Sequence, residues 1–161
     1  VPRSAVLGEI GKGWDTIEKV LLWGAVGKCS EMVGGAQSVL DMTVEYAKQR
    51  VQFGRPIGTF QAVQHHCANM ASDVEGCRYI TAQAAWRLSE GESAEQDVAI
   101  AKAWVSEAYR RVCALGHQVH GAIGFTKEHN MQLYSRRAKE AELAFGDADF
   151  HLETVAQGLG L

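Results

Sequence analysis

The sequence predicts an all-α fold, an antiparallel four-helix bundle with an extra C-terminal helix. Apolar residues recur at helical spacing over most of the 161 residues, and only two prolines occur, Pro2 and Pro56. Proline is rare inside helices because it lacks an N–H and clashes with the preceding turn. In the third predicted helix the apolar residues follow each other in steps of three and four: Val98, Ala101, Val105, Ala108, Val112 and Leu115. This spacing favours near-parallel helix packing in a bundle.

The first helix is predicted from about Trp14 to Gln52. Residues 1–13 before it are typical of an extended segment that ends in a glycine-rich turn, and we expect them to be a linker or the end of a preceding domain. Each glycine inside a helix costs about 1 kcal/mol relative to alanine. We expect close helix packing, more than ligand approach, to explain the four in this helix, Gly24, Gly27, Gly34 and Gly35.

Turn residues bound the second and third predicted helices. The break Gly54-Arg-Pro-Ile-Gly58 ends the first helix, and Thr59 can cap a second helix that ends near residue 89. The segment Ser93-Ala-Glu-Gln96 has the spacing of a capping box and opens the third helix.

The last two helices follow a glycine-punctuated loop from His120 to Phe125. Thr126 can cap a fourth helix that ends near residue 143, and Asp147 or Asp149 can cap a fifth that ends near residue 157. No alternation of apolar and polar residues indicates a strand after residue 13.

Charge and composition argue against two classes of partner. The formal net charge of −3 offers no basic surface for nucleic acid. The longest strongly apolar run, Val20 to Gly27, is far shorter than the roughly 20 residues of a membrane span. We see no N-terminal secretory leader, and the four cysteines form no C-x-x-C pair. We therefore expect a cytoplasmic protein with reduced, buried thiols.

Two segments favour a site for an anion and a ring. Arg50 lies at the end of the first helix, where a guanidinium can direct two N–H groups at a phosphate. Phe53 follows three residues later with a flat apolar face, and Gln61 opens the next helix. The segment Gln118-Val-His-Gly121-Ala122-Ile-Gly124 offers a second site rich in backbone groups.

Other residues have simpler interpretations. His65-His66-Cys67 cannot converge on one metal ion, because consecutive helical residues point about 100° apart. His117 and His120 lie at a helix end, where packing explains them better than catalysis. Gln118 alone could merely cap a helix end. We expect the tryptophans to anchor the core or an interface, and these are Trp14, Trp23, Trp86 and Trp104.

In this order and at this separation, the motifs resemble the C-terminal domain of the acyl-CoA dehydrogenases, a family of FAD-dependent flavoproteins. The resemblance runs from Val1-Pro2 to the end of the chain and includes Tyr134-Ser-Arg136-Arg137-Ala138-Lys139. It implies that residues 14–161 form the C-terminal helical bundle of a three-domain protein, so that the chain resembles a fragment of a longer polypeptide.

The resemblance also implies an activity. The family desaturates acyl-CoA thioesters: a carboxylate removes the α-proton, and the flavin accepts a β-hydride. An electron-transferring flavoprotein then usually reoxidises the flavin, and the subunits assemble as dimers of dimers. The resemblance implies that six residues of this chain contact FAD, several of them the FAD of a neighbouring subunit, and these are Arg50, Phe53, Gln61, Gln118, Gly121 and Ala122.

The sequence departs from the family at the catalytic base. Aligned on Ala138-Lys139, the usual glutamate is Phe145 here, and the alternative position on the first helix is Gly24. Neither residue can accept a proton. The substitutes in the chain are weak candidates, since two of them are more simply helix caps and the third is expected on a solvated face. These are Asp147, Asp149 and Glu142.

Three functions remain open from the sequence. The chain could belong to a subunit without a base that completes the flavin site of a partner in a heteromeric acyl-CoA dehydrogenase. It could belong to a self-sufficient enzyme with a displaced carboxylate, or it could be a helical oligomerisation module without flavin. We expect the isolated bundle to bind little FAD, and the sequence leaves the acyl group open.

Overall fold

The computed structural model describes residues 2–91 and 93–161. Its five α-helices are α1 (Trp14–Gln49), α2 (Gln61–Ser89), α3 (Glu95–His120), α4 (Met131–Leu143) and α5 (Ala148–Gly158). Val1, which belongs to the expected linker of residues 1–13, lies outside the described residues. Within that linker a 3₁₀ turn at Arg3–Ala5 replaces part of the expected extended segment.

The helices form a bundle with α3 at its centre. α3 contacts each of the other four helices, and the predicted stripe from Val98 to Val112 is buried, with Leu115 half-buried at its end. The prediction of an antiparallel four-helix bundle with an extra C-terminal helix is therefore confirmed. Side chains from four helices fill the core, and the largest apolar ones include Met32, Val39, Met70, Val74, Val105 and Met131.

The predicted caps of α2 and α3 are wrong. Thr59 instead donates its hydroxyl to the carbonyl of Pro56 in a 3₁₀ turn, and Phe60 occupies the capping position of α2. Ala94, rather than Ser93, precedes the first turn of α3 and offers no side-chain cap. At α2 the turn satisfies backbone groups that a polar cap would otherwise serve.

The predicted start of α4 is also wrong, whereas one cap of α5 is confirmed. A 3₁₀ turn at Gly121–Phe125 follows α3, and Thr126 donates to the carbonyl of Ile123 within it. α4 begins five residues after Thr126. Asp147 caps α5 by accepting a hydrogen bond of 3.0 Å from the backbone N–H of Phe150.

Several apolar residues are more exposed than predicted. Cys67 is half-buried, whereas Cys29, Cys77 and Cys113 are buried, and all four are free thiols. The four tryptophans are 48–64% exposed, so none belongs to the core of this chain. In the described part of the chain, no helix combines the length and the apolarity that a membrane crossing requires.

Candidate functional site

The end of α1 turns into a tight hairpin that carries Phe53. α1 ends three residues earlier than predicted, because two short strands follow it, β1 (Val51–Gln52) and β2 (Arg55–Pro56), and pair antiparallel. Phe53 and Gly54 form the loop with φ values of 53° and 77°. Positive φ at both central residues is the signature of a type I′ turn. Strands of two residues are too short to show alternation in the sequence.

Phe53 is exposed and conformationally strained. Its φ lies in the left-handed region, which costs a bulky residue on the order of 1 kcal/mol or more. The side chain is 91% exposed and meets the edge of Phe60 with a centroid distance of 6.0 Å. Strain of this kind clusters at binding and active sites.

Arg50 is fixed through its backbone, while its side chain is exposed. Its N–H donates to Tyr46 and its carbonyl accepts from Ile57, each at 2.8 Å. Within the described residues its guanidinium has no ion pair and no hydrogen bond. The nearby Arg55, in contrast, lies 4.2 Å above the ring of Phe60. The corner therefore presents an available cation beside an available ring, with Gln61 exposed at the start of α2.

The loop after α3 lies at the same end of the bundle. The rings of Tyr46 and His120 stack at 4.5 Å and join the ends of α1 and α3. Gly121 has φ 65° and ψ −145°, a backbone conformation that other residues avoid. A Cβ at Gly121 would face open space, and Gln118 and Ala122 are exposed beside it. All six predicted cofactor-binding residues therefore lie at one end of the bundle.

Two histidines support this loop from inside. The ring of His117 stacks on Phe125 at 4.3 Å, and its Nε2 lies 2.6 Å from the hydroxyl of Ser135. His120 donates from Nδ1 to the carbonyl of Gly116 at 2.8 Å. Burial lowers the pKa of both imidazoles, and the nearby His129 lowers it further. Their geometry agrees with the predicted packing role.

At the other end of the bundle, the two positions at which a base was sought contact each other. The ring of Phe145 lies against α1 at Gly24, where any Cβ would collide with it. Gly35 makes room for the ring of Tyr109 in the same way, whereas Gly27 and Gly34 face open space. The expectation of close packing therefore holds for two of the four glycines, and one aromatic ring occupies both positions that the resemblance assigns to the base.

The three substitute carboxylates are capping, exposed or ion-paired. Asp147 is engaged as the cap of α5, and Asp149 is exposed in the first turn of that helix. The expectation that Glu142 is solvated is wrong. Its side chain is 13% exposed and pairs with Lys139 at 3.1 Å and Arg110 at 3.7 Å. α4 directs Glu142 towards the neighbouring cations, and both ion pairs compete with a catalytic role.

Two buried side chains hold the loop that carries Phe145. The ammonium of Lys102 is fully buried and donates to the carbonyls of Glu142 at 2.9 Å and Gly146 at 2.8 Å. His151 donates from Nε2 to the carbonyl of Phe145 at 2.9 Å. Burial lowers the pKa of both groups. Lys102 is not among the predicted site residues, although a lysine directly after Ala101 on the apolar stripe was a visible signal.

An apolar groove of about 610 Å³ opens beside Phe145, between α1, α3 and α5. Trp14, Leu21, Val98 and Phe150 form much of its wall. The groove has the size and the lining of a site for an apolar group.

The groove and the arginine corner lie far apart. Gly24 and Arg50 are 26 positions apart (50 − 24) along α1 and its C-terminal cap. At a rise of 1.5 Å per residue, this corresponds to about 39 Å. One isoalloxazine ring cannot contact both places within a single chain.

We expect the free energy of unfolding to fall as the pH drops below about 6.5. Burial lowers the pKa of His120 and His151, so that they stay neutral in the folded chain while the unfolded chain protonates. Above this pH both histidines are neutral in the folded and the unfolded chain, and the free energy of unfolding keeps its full value. Below it, each histidine removes up to about 1.4 kcal/mol per pH unit until its folded-state pKa is reached. Urea unfolding across this range measures the slope of the unfolding free energy against pH. His151→Gln should reduce this slope by up to the equivalent of one bound proton, about 1.4 kcal/mol per pH unit. Equal slopes in the two proteins would contradict the assignment.

No group of three or more His, Cys, Asp or Glu side chains in the described ranges could hold a metal ion. His65 is exposed on α2, and His66 and Cys67 are half-buried beside it. As expected for consecutive helical residues, they point in different directions.

Comparison with known proteins identifies the family. The family model for the acyl-CoA dehydrogenase C-terminal domain matches residues 11–160. CarC, a subunit of the caffeyl-CoA reductase–Etf complex of Acetobacterium woodii, is 36% identical over 132 residues, which are 82% of this chain and 35% of that protein. Among solved structures, butyryl-CoA dehydrogenase from Megasphaera elsdenii matches with a TM-score of 0.95 and 33% identity. PigA with FAD and proline matches with a TM-score of 0.95 and 30% identity.

Both structures cover 100% of this chain, which spans 42% of their length. The chain therefore spans less than half the length of the relatives that it matches. On the family model and the shared fold, it belongs to the acyl-CoA dehydrogenase family and corresponds to the C-terminal domain.

Proposed function

We propose that this chain is the C-terminal domain of an FAD-dependent acyl-CoA dehydrogenase subunit that lacks the usual base and completes the flavin site of a partner chain. The observation that carries this proposal is the contact of Phe145 with Gly24. These two residues stand at both positions that the resemblance assigns to the base, and neither carries a group that can accept a proton.

The corner at the end of α1 fits FAD. Arg50 would neutralise the pyrophosphate, because its guanidinium is exposed and available for two parallel hydrogen bonds. Phe53 would contact the ring system, and Gln61 and Gln118 would offer amide groups. Gly121 would allow the backbone to approach the cofactor closely. When bound, FAD accepts the hydride that acyl-CoA oxidation releases. The relative PigA, solved with FAD, supports this cofactor.

The distance along α1 supports a site shared between chains. About 39 Å separates the corner from Gly24, so the flavin held by Arg50 is not the flavin that faces residue 145 of the same chain. We infer an oligomer, a dimer of dimers of identical or different subunits. The free thiols favour a reducing compartment such as the cytoplasm.

The apolar groove beside Phe145 supports an acyl-CoA thioester as the substrate. The name of the relative CarC includes an Etf complex, which supports an electron-transferring flavoprotein as the partner that reoxidises the flavin.

Co-expression tests the proposal. We expect the full-length polypeptide alone to show little acyl-CoA oxidation, and we expect FAD binding and turnover with a homologous chain that keeps the glutamate. Full flavin loading and turnover by the lone polypeptide would contradict the proposal and favour a displaced carboxylate. Asp147→Asn and Glu142→Gln would then identify that carboxylate. Absence of flavin from both preparations would instead indicate a helical oligomerisation module.

A further inference from the structure

The loop between α4 and α5 has an unusual backbone. Phe145 and Gly146 both have positive φ, at 60° and 93°. Phenylalanine does not favour this region, so the surrounding structure must impose the conformation. The loop is fixed at both ends: the N–H of Ala144 donates to Glu140 at 3.1 Å, and Asp147 caps α5.

Lys102 is the main donor to this loop. Its ammonium is fully buried, and its three hydrogen-bond acceptors are the carbonyls of Glu142 and Gly146 and the hydroxyl of Ser106 at 3.1 Å. No carboxylate oxygen of the described residues lies within 4 Å of it. Carbonyls bind the ammonium directly, one of them in the last turn of α4, where the helix dipole favours a cation. The carboxylates of Asp147 and Glu142, which lie farther away, also favour its charged form. Burying an ammonium is costly, and a methionine would fill similar space without that cost.

His151 provides the second donor. It binds the carbonyl of Phe145, while Lys102 binds the carbonyl of the next residue, Gly146. Two successive peptide planes are therefore fixed by separate buried donors. The first of these planes directly follows the Cα of Phe145, and Lys102 binds carbonyls on both sides of that residue, at positions 142 and 146. Together with the N–H of Ala144, which donates to Glu140, these bonds hold the segment from which the ring of Phe145 reaches Gly24.

We propose that Lys102 is a positioning residue that directs the side chain at position 145 onto Gly24 and so forms one wall of the apolar groove. The role of the groove as an acyl site rests on the proposed function, whereas the positioning itself does not. Because the loop backbone sets the position of Cβ, another side chain at position 145 would extend from the same point of the loop.

The test uses the full-length polypeptide with 4-fluorophenylalanine at position 145. We expect one ¹⁹F resonance, shifted from its unfolded position by the contact with α1. In Lys102→Met the resonance of the folded protein moves towards the unfolded position or splits. In the matched control Ser106→Ala, which removes an acceptor of the same ammonium but leaves both loop carbonyls bound, the resonance stays in place.

A merely structural role gives a different result. Lys102→Met would then lower the unfolding midpoint, while the ¹⁹F resonance of the folded protein would coincide with that of the parent, and this overturns the proposal. If Lys102→Met does not fold, Lys102→Gln, which keeps one amide donor, is measured in the same way. Failure of both variants to fold assigns Lys102 to the general stability of the core and also overturns the proposal.

The readout separates this proposal from the proposed function. The ¹⁹F resonance requires neither flavin nor turnover, so a protein that binds no FAD still reports the position of the ring. If the resonance responds as expected and no FAD binds even after co-expression with a homologous chain that keeps the glutamate, the positioning stands and the proposed function fails.

Discussion

Phe145→Glu is expected to raise the rate of acyl-CoA oxidation about 10²- to 10⁴-fold in an FAD-loaded assembly whose partner glutamate has been replaced by glutamine, because this is the usual contribution of a well-placed general base. The loop already presents position 145 beside Gly24 and the apolar groove. Phe145 is 43% exposed, so the apolar groove would desolvate the new carboxyl only in part and would raise its pKa modestly. Steady-state turnover with an artificial electron acceptor measures the gain.

Phe145→Gln is the matched control for this prediction. Glutamine has the size and shape of glutamate but cannot take the proton, so its turnover should remain at the level of the parent. Equal rates for the two variants, with equal folding and equal FAD content, would show that position 145 does not face the α-carbon of the substrate.

Arg50→Ala is expected to weaken FAD binding by about 10- to 150-fold, which corresponds to the roughly 1.5–3 kcal/mol of hydrogen bonds to a charged group. Arg50→Lys keeps the charge but loses the forked geometry, so we expect an intermediate loss. The affinity is measured by titrating FAD into the assembled apoprotein. The fold should be unaffected, because no described residue uses the guanidinium.

Two further variants lie on the same hairpin, a control at Arg55 and a change at Phe53. Arg55→Ala removes a guanidinium that lies over Phe60, and we expect little change in FAD affinity. Phe53→Gly removes the strain of a phenylalanine at positive φ, so we expect the free energy of unfolding to stay the same or to rise. The same change removes the ring that would contact the flavin, so we expect FAD affinity to fall. If Arg50→Ala and Arg55→Ala weaken FAD binding equally, the effect comes from general charge and not from a specific contact.

The sequence alone predicts the bundle well, because long helices repeat their apolar positions many times. The stripe on α3 and the cap at Asp147 are visible in this way. The caps of α2 and α4 were predicted incorrectly because 3₁₀ turns satisfy the backbone groups there, with Thr59 and Thr126 bonding inside those turns. The hairpin at Phe53 rests on backbone conformation, which hydrophobic periodicity does not reveal.

The candidate site, too, could be predicted only in part from the sequence. Resemblance to the family indicates separately that Phe145 and Gly24 stand at base positions, but only the tertiary structure shows that one fills the space of the other. Glu142 looked solvated because its cationic partner Arg110 is distant in sequence. Lys102 acts on carbonyls 40 and 44 residues away, a relation that no local pattern contains.

The most direct measurement is a structure of the assembled, FAD-loaded protein. We predict that the guanidinium of Arg50 lies within about 2.7–2.9 Å of a pyrophosphate oxygen. We also predict that the isoalloxazine of that FAD faces residue 145 or its equivalent in a different chain. A guanidinium surrounded by bulk water, or bound to the FAD that faces Phe145 of its own chain, would contradict the shared flavin site.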